Sequence, residues 1–221
     1  MTYLRVNTGL IIAALLLTLV GCGETRPQHR AVYLLMDTSG TYTEELAKAQ
    51  GIMNYLLATL DSGDAVAVAR IDSGSFSEKD IVAKATFDER PSVANQQKRA
   101  FKQQLDVYVK SVRHGSRHTD ITGGLLQASE FLNETGAGEK YVLVFSDLEE
   151  DLEKGHIRDF PIALEGIRVV ALNVTKLRTD NIDPRDYLRR LEAWQKRVVE
   201  GGGQWAVMND LERLDQLIAA R

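Results

Sequence analysis

The chain has 221 residues, 44% hydrophobic and 26% charged, with a formal net charge of −4 at pH 7. That is the composition of an ordinary globular protein, long enough for one domain with a sizeable core. The mild acidity argues against nucleic acid as a partner, and the single cysteine, Cys22, excludes a disulfide framework within the chain.

The N-terminus is distinctive. Arg5 supplies a positive charge, and Leu10 to Val20 is apolar throughout apart from Thr18. Such a run is short for a bilayer span and has the length of a signal-peptide core. It ends in Leu19-Val20-Gly21-Cys22, which resembles the bacterial lipobox cut before an acylated cysteine. The other reading of the same run is an N-terminal membrane helix with an incidental cysteine. On the lipoprotein reading, residues 1–21 are a signal peptide, and residues 22–30 are the acylated Cys22 with a short polar tether. Residues 31–221 are then the domain. Removing residues 1–21 takes away one basic residue, Arg5, and no acidic one, so the charge moves from −4 to −5. Acyl chains at about 0.8 kcal/mol per buried methylene anchor stably, and residues 23–30 extend roughly 27 Å at most. Gly23 stands where an Asp typically retains Gram-negative lipoproteins at the inner membrane, so the resemblance points to the outer membrane, facing the periplasm.

Strand-like and helix-like segments then alternate. Ala31–Met36 is a continuous apolar run, as in a strand buried on both faces. Glu44–Leu60 reads as a helix, with Leu46, Met53, Leu57 and Leu60 in phase. Ala65–Ile71 and Ile81–Phe87 are strands whose connection is too short for a helical crossover, so they form an antiparallel pair. Pro91 opens a long helix carrying Phe101, Leu105, Tyr108 and Val112. A polar loop, His114–Thr119, leads into a helix with Ile121, Leu125, Ala128 and Leu132. Strands follow at Tyr141–Phe145 and Ile167–Val174. Next come a helix at Asp183–Glu200 with Leu188, Leu191, Trp194 and Val198, a short strand at Trp205–Met208, and a final helix at Leu211–Ala220. This order predicts an α/β fold: a three-layer, doubly wound, mostly parallel six-stranded sheet with one antiparallel edge strand. Ligands of such sheets bind beyond the carboxyl ends of the strands, where the strand order reverses.

Asp37-Thr38-Ser39-Gly40-Thr41 lies at such an end. Asp37, Ser39 and Thr41 alternate, so one carboxylate and two hydroxyls converge, with Gly40 easing the bend. Hard oxygen ligands suit magnesium or manganese better than zinc. His118-Thr119-Asp120 before a helix and Ser146-Asp147 after a buried strand fall where the same rule needs them. Together the three segments resemble the metal-ion-dependent adhesion site of von Willebrand factor type A domains. That family has Asp-x-Ser-x-Ser/Thr after the first strand, a threonine before a helix, and an Asp after the fourth strand. The resemblance spans roughly residues 31 to 220. It implies a Rossmann-like fold and a magnesium (or manganese or calcium) site formed by Asp37, Ser39, Thr41, Thr119 and Asp147. It also implies a non-catalytic role, in which a partner protein offers a Glu or Asp to the metal for adhesion or assembly. Where the family often has Thr-Asp-Gly, this chain departs with Ser146-Asp147-Leu148.

Simpler roles exist for the same residues. Thr41-Tyr42-Thr43-Glu44 has the form of a capping box, Thr119 is placed to cap a helix, and Asp147 has the place of an ordinary strand-end residue. The acidic run Asp147, Glu149, Glu150, Asp151 and Glu153 is a solvated loop, a second cation site or a face for a basic partner. His114 and His118 lie four apart without the further ligands zinc needs; a protonated His118 beside Thr119 is a conceivable source of pH response. The enzymatic alternative is a haloacid-dehalogenase-like magnesium-dependent phosphatase, to which Asp37-Thr38-Ser39-Gly40-Thr41 and Asp147 with Asp151 come close. That chemistry requires a carboxylate at Ser39 as general acid. A third reading is a metal-free scaffold of the same fold.

Overall fold

The computed structural model describes residues 29–39, 45–112 and 115–210. The expected leader at residues 1–21, Cys22, Gly40, Thr41, His114 and the expected helix Leu211–Ala220 lie outside them. Ten main elements follow in order: β1 Arg30–Asp37, α1 Leu46–Thr59, β2 Ala65–Ile71, β3 Ile81–Thr86, α2 Pro91–Ser111, α3 Ile121–Glu134, β4 Glu139–Phe145, β5 Ile167–Leu172, α4 Arg185–Glu200 and β6 Gln204–Met208. They form one six-stranded sheet in the order β3-β2-β1-β4-β5-β6. Only the β2–β3 pair is antiparallel, as the short connection between them requires. Among the described residues no helix is long and apolar enough to cross a membrane.

The unbroken apolar run of β1 is explained by the two cores it feeds. Alternate side chains of a strand point to opposite faces. Val32, Leu34 and Met36 pack with Ile52, Met53 and Leu56 of α1 and with Phe101 and Leu105 of α2. Ala31, Tyr33 and Leu35 pack on the other face with Ile121, Leu125 and Leu132 of α3 and with Trp194 and Val198 of α4. All six β1 side chains from Ala31 to Met36 are fully buried. The one polar atom this places in the core, the Tyr33 hydroxyl, donates to Gln127 Oε1 at 3.1 Å. At the amino end of β1, the Arg30 amide donates to Asp64 Oδ1 at 2.7 Å, and its guanidinium pairs with the same carboxylate.

One expected core position is corrected. Leu188 is 56% exposed. The stripe that α4 turns to the sheet is Tyr187, Leu191, Trp194 and Val198, at spacings of four, three and four, and Leu188 sits one residue, about 100°, off that line.

The connection after β4 departs from regular geometry where it matters for the site. Leu148 has φ of 66°, the left-handed region, which costs an L-residue about 1–2 kcal/mol. A glycine, as in the resembling family, enters this region freely. Leucine holds it because its side chain is buried at 1% exposure in the α3–α4 core. Its amide donates to Ser146 Oγ at 3.0 Å, and its carbonyl accepts from Trp194 Nε1 at 3.0 Å.

This balance reverses an ordinary ranking. Leu148→Ala is expected to lower stability by about 2–4 kcal/mol through lost burial. Leu148→Gly, which removes one carbon more but relieves the backbone, is expected to be the milder of the two by about 0.5–1 kcal/mol. Urea denaturation of the two variants checks this. A glycine variant less stable than the alanine one contradicts the account.

Candidate functional site

Strand order reverses between β1 and β4: from β1 the chain moves to β2 on one side, and from β4 to β5 on the other. The parallel register sets Met36 against Phe145, so Asp37 and Ser146 emerge side by side at the carboxyl edge. The Asp37 carboxylate is fully buried. It accepts the Ser39 amide at 2.8 Å and the Ser146 hydroxyl at 2.6 Å, and the Ser39 hydroxyl also bonds it. Burial raises its pKa, and these hydrogen bonds pull the other way.

Asp147 is 4% exposed and accepts the Glu149 amide at 2.9 Å. Burial pushes its pKa up to about 6, and the negative charge of Asp37 adds to the rise. Arg190 exerts a weaker opposing pull, its guanidinium being engaged with Asp180 and with the Asp147 carbonyl. The two carboxylates therefore sit within electrostatic reach of one another, both withdrawn from water. That arrangement disfavours two negative charges unless a cation joins them.

Thr119 is brought into the same network by backbone pairing. The Ser116 amide donates to the Thr38 carbonyl at 2.7 Å, bridging the β1 loop to the loop before α3. Thr119 in turn exchanges hydrogen bonds with Asp151, at 2.8 and 3.0 Å, bridging that loop to the one after β4. Thr119 is buried at 6% exposure and is not the helix cap. That role belongs to Asp120, which accepts the Gly123 amide at 2.8 Å and a two-pronged contact from Arg158. A Cβ on Gly123 would stand 2.5 Å from Asp120 Oδ2 and 2.7 Å from the Ser75 carbonyl. Only glycine permits this close approach of α3 to the β2–β3 turn. The structure thus gathers Asp37, Ser39, Thr119 and Asp147 on three interlinked loops; Thr41, beyond Gly40, is not described.

The acidic run after β4 is only partly the solvated loop that composition favours. Glu149 and Glu153 are exposed. Glu150 instead accepts the Thr122 amide at 2.7 Å and pairs with Arg197 at 3.1 Å, so it is not free to hold a second cation. His118 Nδ1 lies 3.0 Å from Asp151 Oδ2. The residues that hold this loop were not evident from the sequence. Arg190, Trp194 and Arg197 each donate to it, at the Asp147 carbonyl, the Leu148 carbonyl, and both Glu150 and the Arg158 carbonyl. Their spacing of four then three puts them on one face of α4, a signal that the sequence carried within an expected apolar stripe.

The donor set fits a hard divalent cation. Among the described residues no three His, Cys, Asp or Glu side chains gather as a metal-binding group. The set here is of another kind, two carboxylates with hydroxyls supplying the other oxygens, which suits magnesium. Ser39 and Ser146 give their protons to Asp37, so the Ser39 oxygen keeps its lone pairs for an ion, while most of the acceptor capacity of Asp37 is already engaged. This favours a direct contact through Ser39 and a water-mediated one through Asp37.

No protein-family model matches this sequence, and no curated protein matches it by sequence. In structure the chain is similar to a von Willebrand factor type A protein from Catenulispora acidiphila, with a TM-score of 0.53 and 15% identity, over 87% of this chain and 41% of that one. It is also similar to proximal thread matrix protein 1 of the mussel byssus (TM-score 0.49, 14% identity, 89% and 48% of the two chains). BatB from Bacteroides thetaiotaomicron gives a TM-score of 0.46 at 17% identity, over 86% and 97%. The chain spans less than half the length of the first two. At such identities the likeness is one of architecture: the described chain has the von Willebrand factor type A fold.

Proposed function

We propose that this chain is an exported, membrane-tethered module that binds a protein partner through a divalent cation, magnesium first and manganese or calcium as substitutes. Asp37, Ser39, Thr41, Thr119 and Asp147 hold the ion, and an exposed coordination position receives a Glu or Asp of the partner. The observation that carries this reading is the pair of buried carboxylates, Asp37 and Asp147, at the point where the strand order reverses. With a single carboxylate contacting the ion directly, the cation remains electrophilic on its open side, which favours a further anionic ligand. The module has no catalytic role in this reading, because Ser39 occupies the place where a phosphatase of similar layout needs a carboxylic acid. Cys22 carries the lipid anchor after removal of residues 1–21, and residues 23–30 hold the domain close to its membrane, the outer membrane in a Gram-negative cell.

Affinity capture from a membrane extract tests the function. The purified chain with magnesium is expected to retain a partner that EDTA releases and that Asp37→Ala fails to retain. Equal capture in all three cases overturns the proposal. Turnover of p-nitrophenyl phosphate that Asp37→Asn abolishes would revive the phosphatase reading; no turnover is expected.

The buried carboxylates also set a pH dependence. In the absence of divalent ions, the Asp147 pKa of about 6 stands above its unfolded value of about 4. The folded chain therefore binds the proton more tightly, and this contribution is full below about pH 4 and lost as pH rises through 6. By pH 7 the charged, buried Asp147 costs up to about 3 kcal/mol. Asp147→Asn is accordingly expected to be more stable than the unsubstituted chain in EDTA at pH 7, with the advantage shrinking towards pH 4. Saturating magnesium is expected to reverse the order at pH 7, since a ligand at one hundred times its Kd stabilises by about 2.7 kcal/mol. Thermal unfolding at pH 4, 5.5 and 7, with and without magnesium, measures both. A magnesium-independent order contradicts the metal assignment.

A further inference from the structure

Strand β3 ends the sheet two strands away from β1, and among the described residues no strand pairs with its outer side. The Phe87 amide and carbonyl both bond inwards, to the Asp64 carbonyl at 2.8 Å and the Gly63 amide at 3.0 Å. In an antiparallel ladder such residues alternate with ones that turn both groups outwards. The amide and carbonyl of Lys84 therefore face away from β2, open to a further strand.

Each face of this edge opens on a cleft. On the α2 side, Val82, Ala100 and Val107 line one of about 610 Å³, and Val107 is 62% exposed. On the α3 side, two clefts of about 240 and 380 Å³ adjoin, sharing Lys84, Phe131 and Glu134. Helix α3 contributes Gln127, Glu130, Phe131 and Glu134 to them, and spacings of three, one and three put these on one helix face. The Phe131 ring is fixed edge-on to Tyr33, centroids 5.5 Å apart. Gln127, 8% exposed, accepts the Tyr33 hydroxyl at its oxygen, and its amide nitrogen has no hydrogen bond among the described residues. Lys84 is neutralised by Glu78 at 3.0 Å. Glu130 and Glu134 are exposed and have no ion pair among the described residues, so this lining is left negative. Four apart on a helix, the two also repel one another. Phe76 completes the wall, held at φ of 84° and 46% exposed. Burial compensates the same backbone region at Leu148 but not here, and strain without burial marks a side chain kept in position.

We infer that the outer edge of β3 binds an extended segment of a partner protein in which aliphatic and basic residues alternate. Successive side chains of an added strand point to opposite faces. The aliphatic ones enter the cleft beside Val82 and Val107. The basic ones enter the α3-side clefts, their stems against Phe76 and Phe131 and their charges paired with Glu130 and Glu134. Charge disfavours a second copy as the occupant. Two-fold pairing of two β3 edges sets both α3 helices on one face and brings the Glu130 and Glu134 of each copy together. Nor does the chain supply such a strand itself: residues 1–28, 40–44, 113–114 and 211–221 nowhere carry Lys or Arg at alternate positions. The inference is independent of the cation reading, since this edge needs no metal.

The probe is a fluorescein-labelled peptide, Gly-Val-Lys-Val-Lys-Val-Lys-Gly, titrated with the purified full-length chain by fluorescence anisotropy. Gly-Val-Glu-Val-Glu-Val-Glu-Gly and the block-ordered Gly-Val-Val-Val-Lys-Lys-Lys-Gly are its controls. Saturable binding of the alternating basic peptide alone is expected, with and without EDTA. Glu130→Gln combined with Glu134→Gln is expected to weaken it about fivefold, the loss of two exposed ion pairs. Lys84→Pro removes an amide that β2 does not use and is expected to abolish binding, whereas Lys84→Ala retains it. Thermal unfolding verifies that each variant is folded; should the proline variant unfold, the glutamine pair decides. No binding of the alternating peptide, equal binding of the block-ordered one, or indifference to the glutamine pair overturns the edge site. So does binding that survives in a folded Lys84→Pro chain. A dimer in sedimentation that Lys84→Pro dissolves assigns the edge to a second copy and overturns the inference. Binding lost in EDTA places the peptide at the cation site and overturns it too.

Discussion

Adjacent parallel strands β1 and β4 end together, each leading into a buried carboxylate, Asp37 and Asp147. Burial raises the pKa of both, and the charge of Asp37 raises that of Asp147 further. The fold therefore holds a local electrostatic deficit that hydrogen bonds from Ser39, Ser146 and the Glu149 amide only partly offset. The divalent cation proposed for this site would resolve it. The fully buried side chains of β1 between Ala31 and Met36, with their two helical cores, keep the strand ends rigid enough to sustain it.

Around that pair the loops are held by identifiable contacts. The Ser39–Ser116 and Thr119–Asp151 bridges link the three segments that carry the candidate ligands edge to edge. Helix α4 holds the third from behind, with Arg190, Trp194 and Arg197 donating to successive acceptors of the post-β4 loop. Arg158 returns from the far end of that loop to Asp120, the cap of α3. The Trp194 contact pairs a buried indole N–H with the carbonyl of buried Leu148, groups that burial would otherwise leave unpaired. The result is a preorganised surface, in keeping with a binding function that gains affinity from not having to order its loops.

Much of this was legible in the sequence, for definite reasons. The unbroken apolar run at Ala31–Met36 announced a strand covered on both faces, and the nine-residue link between Ile71 and Ile81 announced the antiparallel edge. Asp37, Ser39, Thr41, Thr119 and Asp147 were singled out as candidates by their places at strand and helix ends; the structure sets the four described ones on loops joined by backbone bridges. Position in chain order could not show which residue capped α3, because Thr119 and Asp120 are both capable caps; tertiary contact with Arg158 and Gly123 made it Asp120. Nor could composition separate Glu150 from its solvated neighbours, since its partner Arg197 is 47 residues away. Leu148 stands in the left-handed backbone region because its side chain finds a core, and local propensity carries no information about that burial.

Calorimetric titration of magnesium into the purified, EDTA-treated chain, run beside Asp37→Ala and Asp147→Asn, addresses the central claim directly. One ion bound per chain, with a proton released on binding near pH 6 and with binding lost in both variants, is the result this account predicts. No heat of binding in the unsubstituted chain, or equal binding in all three, would contradict it.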